Sequence, residues 1–191
     1  MKRFVPTFAL IALAGPALAH TGHGTTSGFL HGLEHPVFGL DHLLAMLAVG
    51  LWSGFVLQSR VWRGAVTFLS MMGLGAALSW AGIGFPMVEG VITLSILAFG
   101  VLTVFSRRGQ PAWLTSVSLA VIGFFAMAHG HAHATEAVSD AAGYLAGFLL
   151  STAALHMIGI AIAQVLAKPV LQKALGTGLV LSGGALLAGI G

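Results

Sequence analysis

Six apolar stretches, each near the length that crosses a bilayer and separated by short polar joints, leave this chain few ways to fold. They run over Val37–Leu57, Val66–Phe85, Met87–Phe105, Ala112–Gly130, Ala141–Val165 and Val170–Ile190. A hydrocarbon core of about 30 Å takes roughly 20 residues of helix, and every stretch is close to that. Isolated strands would leave backbone groups unpaired in lipid, and no segment shows the roughly ten-residue alternation of a barrel. Composition agrees. Hydrophobic residues are 57% of 191 positions and charged residues 7%, far below the roughly 25% that a soluble domain carries. The expectation is an all-α polytopic membrane protein, a six-transmembrane-helix bundle with no internal repeat and no separate soluble domain.

The first 19 residues read as a cleavable signal peptide. Lys2 and Arg3 form a basic start, Phe4 to Ala14 an apolar core too short to span, and Ala17-Leu18-Ala19 a small-x-small cleavage site. Residues 20–36 then form a periplasmic, histidine-containing N-terminal segment, and residues 37–191 the six-helix membrane domain. Cations set the orientation. Arg60 and Arg63, Arg107 and Arg108, and Lys168 and Lys173 fall in alternate joints, which the positive-inside rule makes cytoplasmic. Both mature ends are then periplasmic, in the inner membrane of a bacterium. The basic balance is thus an orientation signal and not a nucleic-acid surface. Trp52, Trp62, Trp80 and Trp113 lie near segment ends, where an interfacial belt is expected. Gly50-x-x-x-Gly54 and Gly143-x-x-x-Gly147 predict close helix approach.

Five acids and eight of nine histidines gather at the ends opposite the cations. In one cluster, His35, Asp41 and His42 stand at the start of the first segment, with Met46 one turn beyond His42. His35 and His42 are seven residues apart and share a face if the helix begins early enough; Pro36 suits a first helical position. The plainer account is that Asp41 complements a helix N-terminus, yet that effect fades beyond the first turn while burial of a carboxylate at depth is costly. In the second cluster His129, His133 and Glu136 align on one helix face while His131 points elsewhere. Imidazoles and carboxylates together suit a divalent transition metal such as nickel, cobalt or zinc; a thioether such as Met46 would suit cuprous ion. A polar helix end favouring its dipole is the plainer account there. His156 stands alone near the middle of the fifth segment, either a second-step ligand on an inward path or a hydrogen-bonded packing residue. His20 and His23 form a tail able to capture metal weakly.

The first motif, in the context HPVFGLDHLLAMLAVGLW, resembles the HupE/UreJ family of nickel permeases, and FFAMAHGHAHATE is similar to that family's histidine- and glutamate-bearing helix-four motif. The similarity runs over the whole chain and departs in carrying Ala134 where the family has glycine. It implies Ni2+ uptake, with Co2+ in some relatives, for the maturation of hydrogenase or urease. Under that resemblance the metal is cargo and no cofactor is permanently bound. The cargo's path would be lined by His35, Asp41, His42, His129, His133 and Glu136, with Met46, His156, His20 and His23 secondary.

Other classes fare less well. With no cysteine there is no disulfide, thiolate metal site or cysteine nucleophile. The chain contains neither a P-loop nor H-E-x-x-H, so neither ATP hydrolysis nor a zincin protease is expected, and no enzyme is read here. The alternative is a haem-binding redox subunit with His42, His129, His133 or His156 as axial ligands.

Overall fold

Apolar run length decides where the helices lie: for five of the six segments the ends agree to within about three residues, except that the second helix stops at Trp80 and not Phe85 and the fourth runs on past Gly130 to Glu136. The computed structural model describes residues 28–136 and 140–189, excluding the side chain of Glu136. The signal peptide, His20 and His23 lie outside the described residues. Among those described there are seven helices and no strand: α1 Gly28–Phe38, α2 Leu40–Val56, α3 Arg63–Trp80, α4 Val88–Phe105, α5 Ala112–Glu136, α6 Ala141–Leu166 and α7 Pro169–Leu187. Four of them, α4 to α7, are long and apolar enough to cross a membrane; α1 and α2, bent by 79° at their junction, make either a fifth, broken span or a re-entrant loop. The protein is a multi-pass helical membrane protein. α3 has the length of a span at 18 residues but is less apolar than those four.

The first segment departs from expectation. Instead of one helix from Val37 it is two, and residues 28–36, read as tail, all belong to α1. Pro36 sits near the end of α1 and not at a helix start. Gly39, extended at φ −82 and ψ 111, turns the chain into α2. Both flanks are apolar, so hydropathy runs through the bend unchanged. α1 packs on α6 where Gly32 meets the Tyr144 carbonyl and Gly147 meets the Phe29 carbonyl. Lipid tails are as apolar as leucine, so such close backbone approach, and not a hydrophobic drive, holds helices together in a membrane.

The same device recurs. Gly50 and Gly54 bring α2 against His156, Gly159, Ile160 and Ala163 of α6, whereas Gly143 faces the Asp140 side chain that caps α6. Gly75 and Gly130 lock α3 to α5 through the Met127 and Met72 carbonyls. α3 closes with a left-handed Gly82, φ +78, while Ile83 N–H reaches back to the Leu78 carbonyl, a glycine-terminated helix end. The far ends of α2, α4 and α7 are tied together. Trp52 Nε1 donates to Ser106 Oγ at 3.0 Å, and Gln172 Nε2 donates to the Thr103 and Ser106 carbonyls. Trp52 is therefore a correction to the expected belt: it is fully buried, while Trp62, Trp80 and Trp113 are exposed. Its position near a helix end did not reveal that it faces inward.

Candidate metal centre

α1, α2 and α5 each carry imidazoles to one point at the end of the bundle opposite the cationic joints. His35 comes from α1, His42 from the first turn of α2, and His129 and His133 from α5, one turn apart. The bend at Gly39 makes the assembly possible. It folds α1 back so that His35 and His42 meet across it, with ring centroids 5.4 Å apart, and not along one helical face as their spacing suggested. His133 lies 4.6 Å from the His35 ring and 4.5 Å from the His42 ring, and His129 lies 5.1 Å from His42. One ligand nitrogen from each of His35, His42 and His133 falls within 4.8 Å of the others. Nitrogens bonded to one ion at about 2.1 Å stand roughly 3–4 Å apart, so small side-chain movements close the set.

Hydrogen bonds decide which nitrogens are available. Asp41 Oδ1 accepts from His42 Nδ1 at 2.6 Å and from the His42 backbone N–H at 2.8 Å. With Nδ1 so engaged, the His42 nitrogen left for a ligand is Nε2, which is buried without a hydrogen-bond partner among the described residues. Ser95 Oγ donates to the Ile92 carbonyl and so accepts from His129 Nε2 at 3.1 Å. The His129 lone pair is then on Nδ1, also buried and unpartnered. A buried acceptor without a donor is uncommon and destabilising, by about 1–3 kcal/mol each. Two of them in one cluster are what a cation-binding site requires.

The wall of the cluster comes from α6. Phe148 packs on His133 with centroids 4.1 Å apart, and Tyr144 brings its hydroxyl 3.4 Å from His133 Nδ1. Gly39 lets the pair beside it pack closely, since a Cβ there would stand 3.1 Å from His42 Nδ1 and 3.2 Å from Asp41 Oδ1.

The structure thus brings together His35, Asp41, His42, His129 and His133 of the residues expected from sequence. Asp41 lies in the first turn of α2, not beyond it as the sequence suggested, because the chain bends at Gly39 and a new helix starts there; its carboxylate suits that helix N-terminus and also holds His42. α5 extends through Glu136, whose side chain is outside the described residues, as are His20 and His23. His131 turns away, as its spacing indicated, and its Nε2 donates to the Ile83 carbonyl at 2.7 Å. Met46 is fully buried, and its carbonyl accepts from His156 Nδ1 at 2.7 Å. Glu34 and Glu89 are exposed. Sequence reasoning missed Tyr144, Phe148 and Ser95, which only tertiary packing brings near. It also missed His31, whose ring lies 6.2 Å from His35 at the mouth; its i, i+4 spacing would have revealed it once residues 28–38 were read as helix. A haem on these histidines would need its macrocycle between them, where the rings instead meet edge to face.

Comparison with known proteins agrees with the motif resemblance. The family model described as HupE / UreJ protein matches residues 8–186. The chain is 40% identical to Protein HupE of Rhizobium leguminosarum bv. viciae over an alignment of 195 residues, covering 99% of this chain and all of the relative. No solved structure matches the chain.

Proposed function

The chain belongs to the HupE/UreJ family, and on that premise we propose that it carries a divalent transition-metal ion, Ni2+ first and Co2+ second, from periplasm to cytoplasm. The observation that carries this reading is the group of half-buried His35 with buried His42 and His133, whose ligand atoms lie within 4.8 Å of one another at the end opposite the cationic joints. Neutral imidazole nitrogen suits nickel and cobalt, and with no cysteine in the chain there is no thiolate to favour softer ions.

The ion first meets His31 and His35 on α1 and exchanges water for imidazole nitrogen in stages. Binding at each stage must be weak enough for release. Asp41 acts as a positioning residue. Its carboxylate fixes the His42 ring and supplies negative charge that a dication feels across the ring. His129, one turn further along α5, receives the ion next. At the opposite end a cavity of about 440 Å³ opens between α2, α4, α6 and α7, lined by Gly54, Ala163, Gln172, Arg107 and Lys168 among others. Its cations make that end a poor resting place for a divalent ion, which favours release into water.

With that end cytoplasmic, as the positive-inside rule assigns it, a membrane potential of about 100 mV favours entry of a dication by roughly 4.6 kcal/mol. Facilitated diffusion then needs no nucleotide, and the cargo supplies hydrogenase or urease maturation. Cells with and without the protein, given radioactive nickel or cobalt at low micromolar concentration, test the reading. Nickel should accumulate only where the protein is present, and equal accumulation in both would remove the proposal.

A further inference from the structure

His156 lies on α6, inboard of the histidine cluster, and its ring is fully buried. Its Nδ1 donates to the Met46 carbonyl at 2.7 Å, which fixes the tautomer and leaves the lone pair on Nε2. That nitrogen is buried with no hydrogen-bond partner among the described residues. A histidine kept only for packing has no need of this arrangement, because an aromatic or aliphatic side chain fills the volume without stranding an acceptor. One turn earlier on the same face of α6, Thr152 Oγ1 is also buried and unpartnered, an oxygen available to an ion that still carries water.

The ring has a defined relation to the cluster. Phe68 of α3 packs edge-on against His156, centroids 4.9 Å apart, and tilted against His129 at 5.5 Å. One aromatic ring therefore packs against both histidines. His129 Nδ1 and His156 Nε2 are in the same condition, each buried, each without a donor, each with its other ring nitrogen tied down. The tie of His156 runs to Met46, one turn after His42 on α2, so the same stretch of α2 positions both places. Beyond His156, Gly50 touches its carbonyl, and one further turn along α2 leads to Gly54 and the cavity at the cationic end.

We propose that His156 Nε2, with Thr152 beside it, forms a second metal-accepting station inboard of the Phe68 ring, distinct from the outer cluster. It rests on the permease reading: an ion leaving His129 passes the phenyl ring and is received by one nitrogen and its remaining water. A single protein nitrogen holds it weakly, as onward release requires.

His156→Asn tests this directly. The asparagine amide occupies the place of Nδ1 and keeps a donor for the Met46 carbonyl, but it removes the Nε2 lone pair. In vesicles containing only the purified full-length protein, nickel flux at saturation should fall by about tenfold or more, while half-saturation stays within about threefold because the outer cluster is intact. His156→Cys places a soft sulfur at the station and should restore flux for Cd2+ in preference to Ni2+. His156→Asn that transports like wild type would overturn the proposal. So would loss of outer nickel binding together with flux, since that marks His156 as a structural prop. Wild-type vesicles that admit no metal would overturn the permease reading itself, and the inner station with it.

Discussion

Asp41→Asn preserves shape and an acceptor oxygen while removing one charge, which isolates the electrostatic share of metal binding. Asp41 Oδ1 is 2.6 Å from His42 Nδ1. Across the imidazole and one metal–nitrogen bond, that places the charge about 6 Å from an ion on His42 Nε2. At that separation a dication and a unit charge attract by roughly 5 kcal/mol at an effective dielectric constant near 20. The Asp41 side chain keeps 30% of its surface exposed, and water there reduces the term to about 2–3 kcal/mol. The Kd for nickel should therefore rise about 30- to 150-fold, overlapping the 10- to 100-fold typical when the partner of a metal-bound histidine is lost. Calorimetric titration of the purified protein with Ni2+ measures this, with thermal melting as the control for folding. A Kd within about threefold of wild type would refute the role given to the carboxylate.

Other substitutions separate binding from scaffold. His131→Ala removes the bond to Ile83 that steadies the turn between α3 and α4; thermal stability should drop by about 1 kcal/mol while nickel affinity is unchanged, and an affinity loss equal to that of His133→Ala would show the α5 geometry to be wrong. Gly32→Val drives a side chain into the Tyr144 carbonyl, so α1 must move and carry His35 away. Titration should show nickel affinity weakened about tenfold or more, with about 1–3 kcal/mol of overpacking in the melt. Gly178→Ala, where a Cβ meets nothing within 4 Å, should leave binding untouched and raise stability by up to about 1 kcal/mol.

Hydropathy made α4 to α7 legible because bilayer thickness, a single length, governs both pattern and helix. The same measure is blind to direction, which is why the 79° bend at Gly39 passed unseen inside one apolar run. It is equally blind to facing, so Trp52 could not be distinguished from Trp113 although one is wholly buried and the other 65% exposed. Within the site, spacing on a single helix was readable: His129 and His133 share a face of α5 and His131 leaves it. Relations between helices were not. That His35 meets His133, that Ser95 fixes the His129 tautomer and that Tyr144 and Phe148 close the wall depend on how α1, α4, α5 and α6 pack. The resemblance of the HPVFGLDH motif indicated the family, and the fold supplied which ring nitrogens are tied down.

The most direct test of the account is nickel flux into vesicles holding only this protein, driven by an imposed potassium diffusion potential. At about 100 mV, inside negative, a passive path for a dication supports an equilibrium gradient of roughly 2,000-fold. Entry should accelerate with that voltage, require no nucleotide, and disappear in His42→Ala. Vesicles that stay closed to nickel under every imposed voltage and pH gradient, or His42→Ala vesicles that fill as fast as wild type, would contradict the account.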